Sequence, residues 1–395
     1  MLGKWLQWQC EDALHAIKCG IILPNGQSIT SAQDGYPTVK FLSWKTIFQL
    51  PFQPSLAIGE AYANGTMIIH DGTLYDALKA MIEVKENTQT TMLSKLTTLY
   101  EGAFLYRKDG RRRAQSAHNI HSHYDIGNAF YDLFLDPDLQ YSCGYFPDLD
   151  TDLAEAQVAK KAHIAKKLML TKKATVLDIG CGWGGLGLTL ARDHGASVTG
   201  ITLSKEQLIT AQARAAKEPD LPVDFIYRDY RDETQLYDHI VSVGMFEHVG
   251  KKQFPIYFRA IDRLLKKDGV AVIHTIGSSL ASSGSDPFIS KYIFPGGYIP
   301  KLSEIMTSIE QTSLRVTDIE VWHDHYAKTL RCWRERFMAK RDEALAMFDD
   351  RFCRIWEFYL AGCELAFSHS QLVVYQIQIS KSKGVVPISR DYLYR

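Results

Sequence analysis

Val176-Leu177-Asp178-Ile179-Gly180-Cys181-Gly182-Trp183-Gly184-Gly185 carries the strongest fold signal in the chain. It runs from an apolar strand through a glycine-rich turn into the start of a helix. Such a turn presents bare backbone N–H groups and the positive end of a helix to a nucleoside-type ligand. Gly180, Gly182 and Gly185 fall as G-x-G-x-x-G, a spacing that also suits a dinucleotide. Two details point elsewhere. Asp178 stands just before the first glycine, where a carboxylate can receive the ammonium group of an amino-acid ligand. The next strand, Ser197-Val198-Thr199-Gly200-Ile201-Thr202, ends without the Asp or Glu that normally holds an NAD ribose. S-adenosylmethionine is both amino acid and nucleoside, and it fits both details. A dinucleotide site and a purely structural turn are the competing readings.

Outward from this turn the chain alternates. Strands are predicted over Thr175–Ile179, Ser197–Thr202, Val223–Tyr227, His239–Val243, Val270–Thr275, Leu314–Val321 and Leu372–Ser380. Helical patterns fill the gaps, among them Ser204–Lys217 and Lys252–Leu265. Alternation of this kind specifies a parallel sheet covered on both faces. Asp152 and Glu155 have the spacing of a capping box ahead of the first strand. From Thr329 to Phe367 the pattern is helical and aromatic, with Trp333, Phe337, Phe348, Phe352, Trp356, Phe358 and Tyr359. That predicts either a helix pair packed over the sheet or a wall for an acyl chain.

The first 85 or so residues differ. A helix-like opening carries Trp5, Leu6, Trp8, Leu14 and Ile17, and strand-like pieces follow at Thr38–Leu42 and Thr66–His70. Next comes Tyr106-Arg107-Lys108-Asp109-Gly110-Arg111-Arg112-Arg113, whose basic side chains suit anionic lipid headgroups or plain solvent. The expected organisation is a lipid- or membrane-binding domain over 1–88, a basic linker over 89–118 and a catalytic domain over 119–395. Lys+Arg and Asp+Glu both total 45 in 395 residues, so no global field favours nucleic acid. The seven cysteines form no C-x-x-C pair, which argues against a disulfide framework or a metal site and suits a reducing cytoplasm. No apolar run approaches the ~20 residues that span a bilayer, and the N-terminus lacks a signal-peptide pattern.

Several further strings surround the turn: Asn128-Ala129-Phe130-Tyr131 after His123-Tyr124-Asp125, Tyr141-Ser142-Cys143-Gly144-Tyr145-Phe146, Gly200 to Gln207, and Arg228-Asp229-Tyr230-Arg231-Asp232. Then come Met245-Phe246-Glu247-His248-Val249-Gly250, His274-Thr275-Ile276-Gly277, Phe294 to Pro300, and Tyr326-Ala327-Lys328-Thr329-Leu330. In this order they resemble the cyclopropane-fatty-acyl-phospholipid synthase family, from about His118 to Gln378, with a weaker match before that. The resemblance implies an α/β fold: a class I methyltransferase-like doubly wound sheet with a reversed last strand, plus a small N-terminal domain.

It also implies transfer of a methylene from S-adenosylmethionine to the cis double bond of an unsaturated phospholipid chain. By the resemblance, bound bicarbonate serves as base, held by Cys143, Glu247, His274, Ile276 and Tyr326. Cys, His and Tyr can all donate to a small oxyanion. Tyr141 and Ser142 fall at the methionine end of the donor, with Asp178, Gly180 and Gly182 around it. Thr202 and Gln207 take the ribose, and Tyr230 and Arg231 flank the adenine, where mycolic-acid relatives carry Trp and Glu. The implied setting is a cytoplasmic homodimer, peripheral on the inner face of the membrane, without nucleic acid or metal. Two rival functions stand beside this one: a fatty-acyl methyltransferase making methyl branches, and a lipid-binding protein that has lost the chemistry.

Overall fold

The structure is a computed structural model that describes residues 18–87, 126–148, 150–279 and 286–394. The opening helix pattern with Trp5 and Trp8, the basic run 106–113 and the string His123-Tyr124-Asp125 lie outside the described residues.

One compact unit holds a seven-stranded sheet. Strand β5 (Thr175–Ile179) is followed by helix α6 (Gly185–His194), then β6 (Ser197–Thr202), α7 (Lys205–Ala215) and β7 (Val223–Tyr227). On the other side run β8 (Tyr237–Val243), α8 (Phe254–Leu264) and β9 (Leu265–Ser278), then β10 (Arg315–Trp322) and β11 (Leu372–Ser380). Their order is β10-β11-β9-β8-β5-β6-β7. Strands β5 to β9 pair in parallel, whereas β11 lies antiparallel to both β9 and β10. The doubly wound sheet with its reversed last strand is therefore present. The strand order turns around between β5 and β8, and at such a switch point the carboxyl ends diverge into a crevice.

Alternation along β5 explains the two covered faces. Leu177 and Ile179 join a core with Phe246, Phe258 and Ile261 of the segment after β8. Val176 joins a second core with Ile164, Leu190, Val198 and Val272. That second core is closed by helix α5 (Leu153–Leu168), whose predicted capping box is formed: Asp152 accepts from the Glu155 amide at 2.8 Å. A third cluster surrounds Phe225, and there glycine is required. A Cβ on Gly200 would stand 2.5 Å from the Phe225 ring, and one on Gly184 2.7 Å from it. The ring thus fills the room left by missing side chains and lets α6 lie close to the sheet.

Two strands are longer than predicted. Strand β9 starts at Leu265 rather than Val270: Leu265 pairs with Tyr237, the ladder shifts register before Val270 meets His239, and Lys266 in between bonds the Asp238 side chain at 3.0 Å. Strand β8 starts at Tyr237, opposite Leu265.

The other compact unit has a four-stranded sheet ordered β2-β1-β3-β4, with β1 (Gly20–Ile22), β2 (Ser28–Thr30), β3 (Thr38–Phe41) and β4 (Met67–His70). Around it lie α1 (Trp44–Gln49), α2 (Pro54–Ala63) and α3 (Leu74–Asn87). The same unit takes in residues 286–293 and 330–370. Residues of the expected catalytic domain over 119–395 therefore fall in both units. The aromatic helices over 330–370 belong to this unit. Helix α13 (Asp350–His369) buries Cys353, Ile355, Trp356, Phe358, Tyr359 and Leu360, apolar groups spread around its circumference, and packs on α2 and α3. A helix apolar on so many sides needs cover on more than one face.

Replacing Gly200 by Ala pushes a methyl group into the fully buried Phe225 ring. The expected outcome is a loss of about 1–3 kcal/mol in unfolding free energy, measured by urea denaturation. A variant as stable as the wild type would mean that the ring moves aside freely.

Candidate functional site

The turn after β5 opens into a pocket at the switch point. Its walls include Tyr141, Ser142, Asp178, Gly180, Gly182, Thr202, Gln207, Tyr230 and Arg231, so the nine residues expected around the donor come together in one cavity. Gly180 and Gly182 have φ of +86° and +56°, values that an L side chain rarely adopts. A Cβ on Gly180 would meet Met245 at 2.8 Å, whereas one on Gly182 would meet no protein atom within 4 Å and would face the cavity. The third glycine works differently. Gly185 begins α6, and a Cβ there would stand 2.4 Å from the Gln140 amide. Its absence lets the loop 136–142 close over the turn.

That loop is pinned from several directions. Asp136 accepts the amides of Asp138 and Gln140 at 3.0 and 2.9 Å. The Tyr131 ring lies 5.4 Å from Tyr141 and 5.0 Å from Trp183, and the Trp183 indole donates to Asn128 at 2.7 Å. The string Asn128–Tyr131 thus serves as a brace for the glycine turn. Thr202 accepts the Ser204 amide at 3.1 Å. Tyr230 packs edge-on against Tyr257 at 5.3 Å, and Arg231 turns back onto Asp229 at 2.8 Å; Asp229 lines the cavity as well.

Asp178 is 2% exposed, and its Oδ2 has no hydrogen-bond partner. Burial pushes its carboxyl up to about 7 against a partial opposing pull from Lys160. Lys160, on α5, is fully buried in the same wall, and its ammonium donates to Gln140 at 2.8 Å and Ser142 at 2.7 Å. Sequence reading missed Lys160 and Asp229. The available signal was the stripe Leu153, Ala156, Gln157, Lys160, Ile164, Lys167, Leu168, whose helical spacing places both lysines on the buried face.

None of the five residues expected around the base lines this cavity, although Met245 and His248 on either side of Glu247 do. Glu247 sits in the short turn Phe246–His248 after β8. Its Oε1 accepts the Ile276 amide at 2.6 Å, and its Oε2 is buried without a partner. Burial outweighs that bond and pushes the carboxyl up to about 7. The Ile276 amide is thus taken up in holding Glu247. His274, two residues earlier on β9, shares a hydrogen bond with Gln376 at 3.0 Å, and burial holds its pKa well below the ordinary value, so the ring is neutral. Cys143 is buried; its thiol donates to the Gly144 carbonyl at 3.3 Å, and burial raises its pKa, which keeps it protonated. The Gly144 amide donates to Thr329 at 3.0 Å, and Thr329 donates to the His325 carbonyl at 2.8 Å, which ties Cys143 to the turn that carries Tyr326. Trp322 lies between, 5.2 Å from both His274 and His325. Glu247 Oε2 is thus a buried carboxyl oxygen left without a partner, which a protonated ligand could satisfy. Among the described residues no cluster could hold a metal ion, and no helix is long and apolar enough to cross a membrane.

Residues 111–377 match the sequence profile of a family described as mycolic acid cyclopropane synthetase. The chain is 39% identical over 332 residues to the cyclopropane-fatty-acyl-phospholipid synthase of Escherichia coli K12, covering 83% of each chain. It is 36% identical to a probable fatty acid methyltransferase of Pseudomonas putida, over 88% of this chain and 89% of that one. Among solved structures it is similar to mycolic acid cyclopropane synthase CmaA1 complexed with SAH and CTAB. The TM-score is 0.63 at 32% identity, over 67% of this chain and 97% of that one.

Because burial disfavours the ionised form of Glu247, the folded state binds its proton more tightly than the unfolded state does. The wild type therefore loses stability as pH rises from the ordinary value of 4.5 to about 7. Glu247→Gln keeps the acceptor for Ile276 and removes the titration. Its unfolding free energy relative to wild type is expected to grow by about 3 kcal/mol between pH 4 and pH 8. A difference independent of pH would show that Glu247 is not sealed from water.

Proposed function

The chain belongs to the mycolic acid cyclopropane synthetase family and is an S-adenosylmethionine-dependent methyltransferase, and from that premise we propose that it closes a cyclopropane ring on the cis double bond of an unsaturated phospholipid chain. The methyl group passes to one alkene carbon and leaves a carbocation on the other. Loss of a proton from the new methyl group then closes the ring, with S-adenosylhomocysteine as the second product. An isolated alkene carries no proton whose removal would activate it, so the first step depends on holding methyl and alkene together in a dry site. The base is needed only afterwards.

The observation that carries this reading is Glu247 Oε2, buried and unpaired between two residues that line the donor pocket. A carboxyl with a pKa near 7 can take up a proton and release it within one turnover. In this reading Cys143, Glu247, His274 and Tyr326 hold bicarbonate, with Ile276 fixing Glu247. The bound anion would supply a base beside the developing positive charge. Donor contacts fall to Tyr141, Ser142, Asp178, Gly180, Gly182, Thr202, Gln207, Tyr230 and Arg231. Leu42, Phe48 and Phe52, exposed at 47%, 56% and 65% beside the exposed Lys45, favour contact with an anionic membrane surface. A peripheral homodimer at the inner face belongs to the same reading.

The likeness to the probable fatty acid methyltransferase of Pseudomonas putida favours a second product class, a methyl-branched chain. Lipid mass spectrometry on cells expressing the protein separates the two. Cyclopropanation adds one methylene and keeps the count of rings plus double bonds; a saturated branch adds the same carbon and lowers that count. The expected result is the first. With the purified enzyme, stripping dissolved carbonate is expected to slow turnover and restoring it to recover the rate. Indifference to carbonate would make a side chain the base.

A further inference from the structure

Lys160 is a charged group that the function above does not employ. It is a buried ammonium in the wall of the donor pocket, and among the described residues its polar partners are Gln140 Oε1 at 2.8 Å and Ser142 Oγ at 2.7 Å. Both acceptors are neutral. The same wall carries Asp178, whose Oδ2 is equally cut off from water and has no hydrogen-bond partner. Two buried charges of opposite sign thus face one end of one cavity without an ion pair of normal length between them. An uncompensated buried charge is strongly unfavourable, and a ligand that completes both at once recovers much of that energy.

We infer that Lys160 binds the carboxylate of the donor's methionine end, while Asp178 takes its ammonium group. The two charges of an α-amino acid sit on adjacent bonds of one carbon, so the groups that bind them must share a wall, as Lys160 and Asp178 do. Lys160 is well held for this task. It lies in the middle of α5, and Gln157, one turn earlier, donates to the backbone carbonyls of Ser142 at 2.9 Å and Gln140 at 3.3 Å. The loop therefore cannot shift without breaking contacts at both levels. Burial lowers the Lys160 ammonium to about 8 against the pull of Asp136, and raises the Asp178 carboxyl to about 7 against the pull of Lys160, so neither charge is fully matched before a zwitterion enters. The inference rests on the reading of this cavity as the donor site. Its consequence is selectivity: the pocket recognises the amino-acid part of the donor by charge as well as by shape.

The test uses the full-length protein and two ligands that differ only in the carboxylate, S-adenosylhomocysteine and its decarboxylated analogue, with calorimetry as the readout. Lys160→Gln retains hydrogen-bond donation to Gln140 and Ser142 but removes the charge. It is expected to weaken S-adenosylhomocysteine about 10- to 100-fold, the scale of one charge-assisted bond, and to leave the analogue within about 3-fold. Equal losses for both ligands would assign Lys160 a purely structural role and overturn the inference, as would no loss for either. If the variant fails to fold, the wild type alone decides. A preference of about 10-fold or more for the carboxylate-bearing ligand supports the inference, and equal affinities overturn it. A wild type that binds neither ligand removes the donor site itself, an outcome distinct from a failure of Lys160.

Discussion

The bond from the Ile276 amide to Glu247, 2.6 Å long, is the contact on which the mouth of the sheet depends. It joins the end of β9 to the turn after β8 and fixes a carboxyl group out of reach of water. From that anchor the surroundings follow. The Glu247 carbonyl accepts the Tyr298 amide at 2.9 Å and gathers in the segment 294–300. The neighbouring Phe246 stacks on Phe254 at 4.4 Å and roots the turn in the core beneath. The Gly244 amide reaches the His274 carbonyl at 2.9 Å and prolongs the pairing of β8 with β9 up to the site. All this order leaves Oε2 of the same carboxyl unpaired. A buried carboxyl oxygen left unpaired in otherwise satisfied surroundings is the feature on which the proposed role of Glu247 rests.

The donor end follows the same logic with opposite charges. Asp178 stands one residue before the end of β5 and Lys160 lies on α5, and no ion pair joins the two among the described residues. Backbone freedom does the remaining work: positive φ at Gly180 and Gly182 bends the chain under the ligand, and the missing Cβ of Gly185 admits the loop that roofs it. Charge and shape are supplied by different residues. Substitutions at the glycines act on the geometry of the pocket, and substitutions at Asp178 or Lys160 act on its field.

The sequence revealed the sheet well because each strand around the turn carries its own signal. A short, mostly apolar stretch in Thr175–Ile179 and the β-branched residues of Leu372–Ser380 give bounds that the structure reproduces. The start of β9 was hidden because Lys266-Lys267-Asp268-Gly269 reads as a loop, and in the structure it forms an irregularity of the ladder between the pairs Tyr237–Leu265 and His239–Val270. The helices over 330–370 were legible as helices but not in their partners, since an apolar surface does not state what covers it. Lys160 was overlooked for a related reason: a lysine reads as solvent-facing unless the helical stripe around it is followed residue by residue. Arrangement within the site was partly legible. Motif order placed nine residues around one cavity, whereas the engagement of the Ile276 amide with Glu247 depends on tertiary contact.

In the proposed reaction Glu247 and its neighbours hold a small protonated oxyanion beside the donor. Nuclear magnetic resonance of ¹³C-labelled bicarbonate added to the donor-bound protein reads this out. The expected result is a protein-bound carbonate resonance in the wild type that is absent from Glu247→Gln at the same concentration. No bound resonance in the wild type, or one that survives unchanged in the variant, would contradict it.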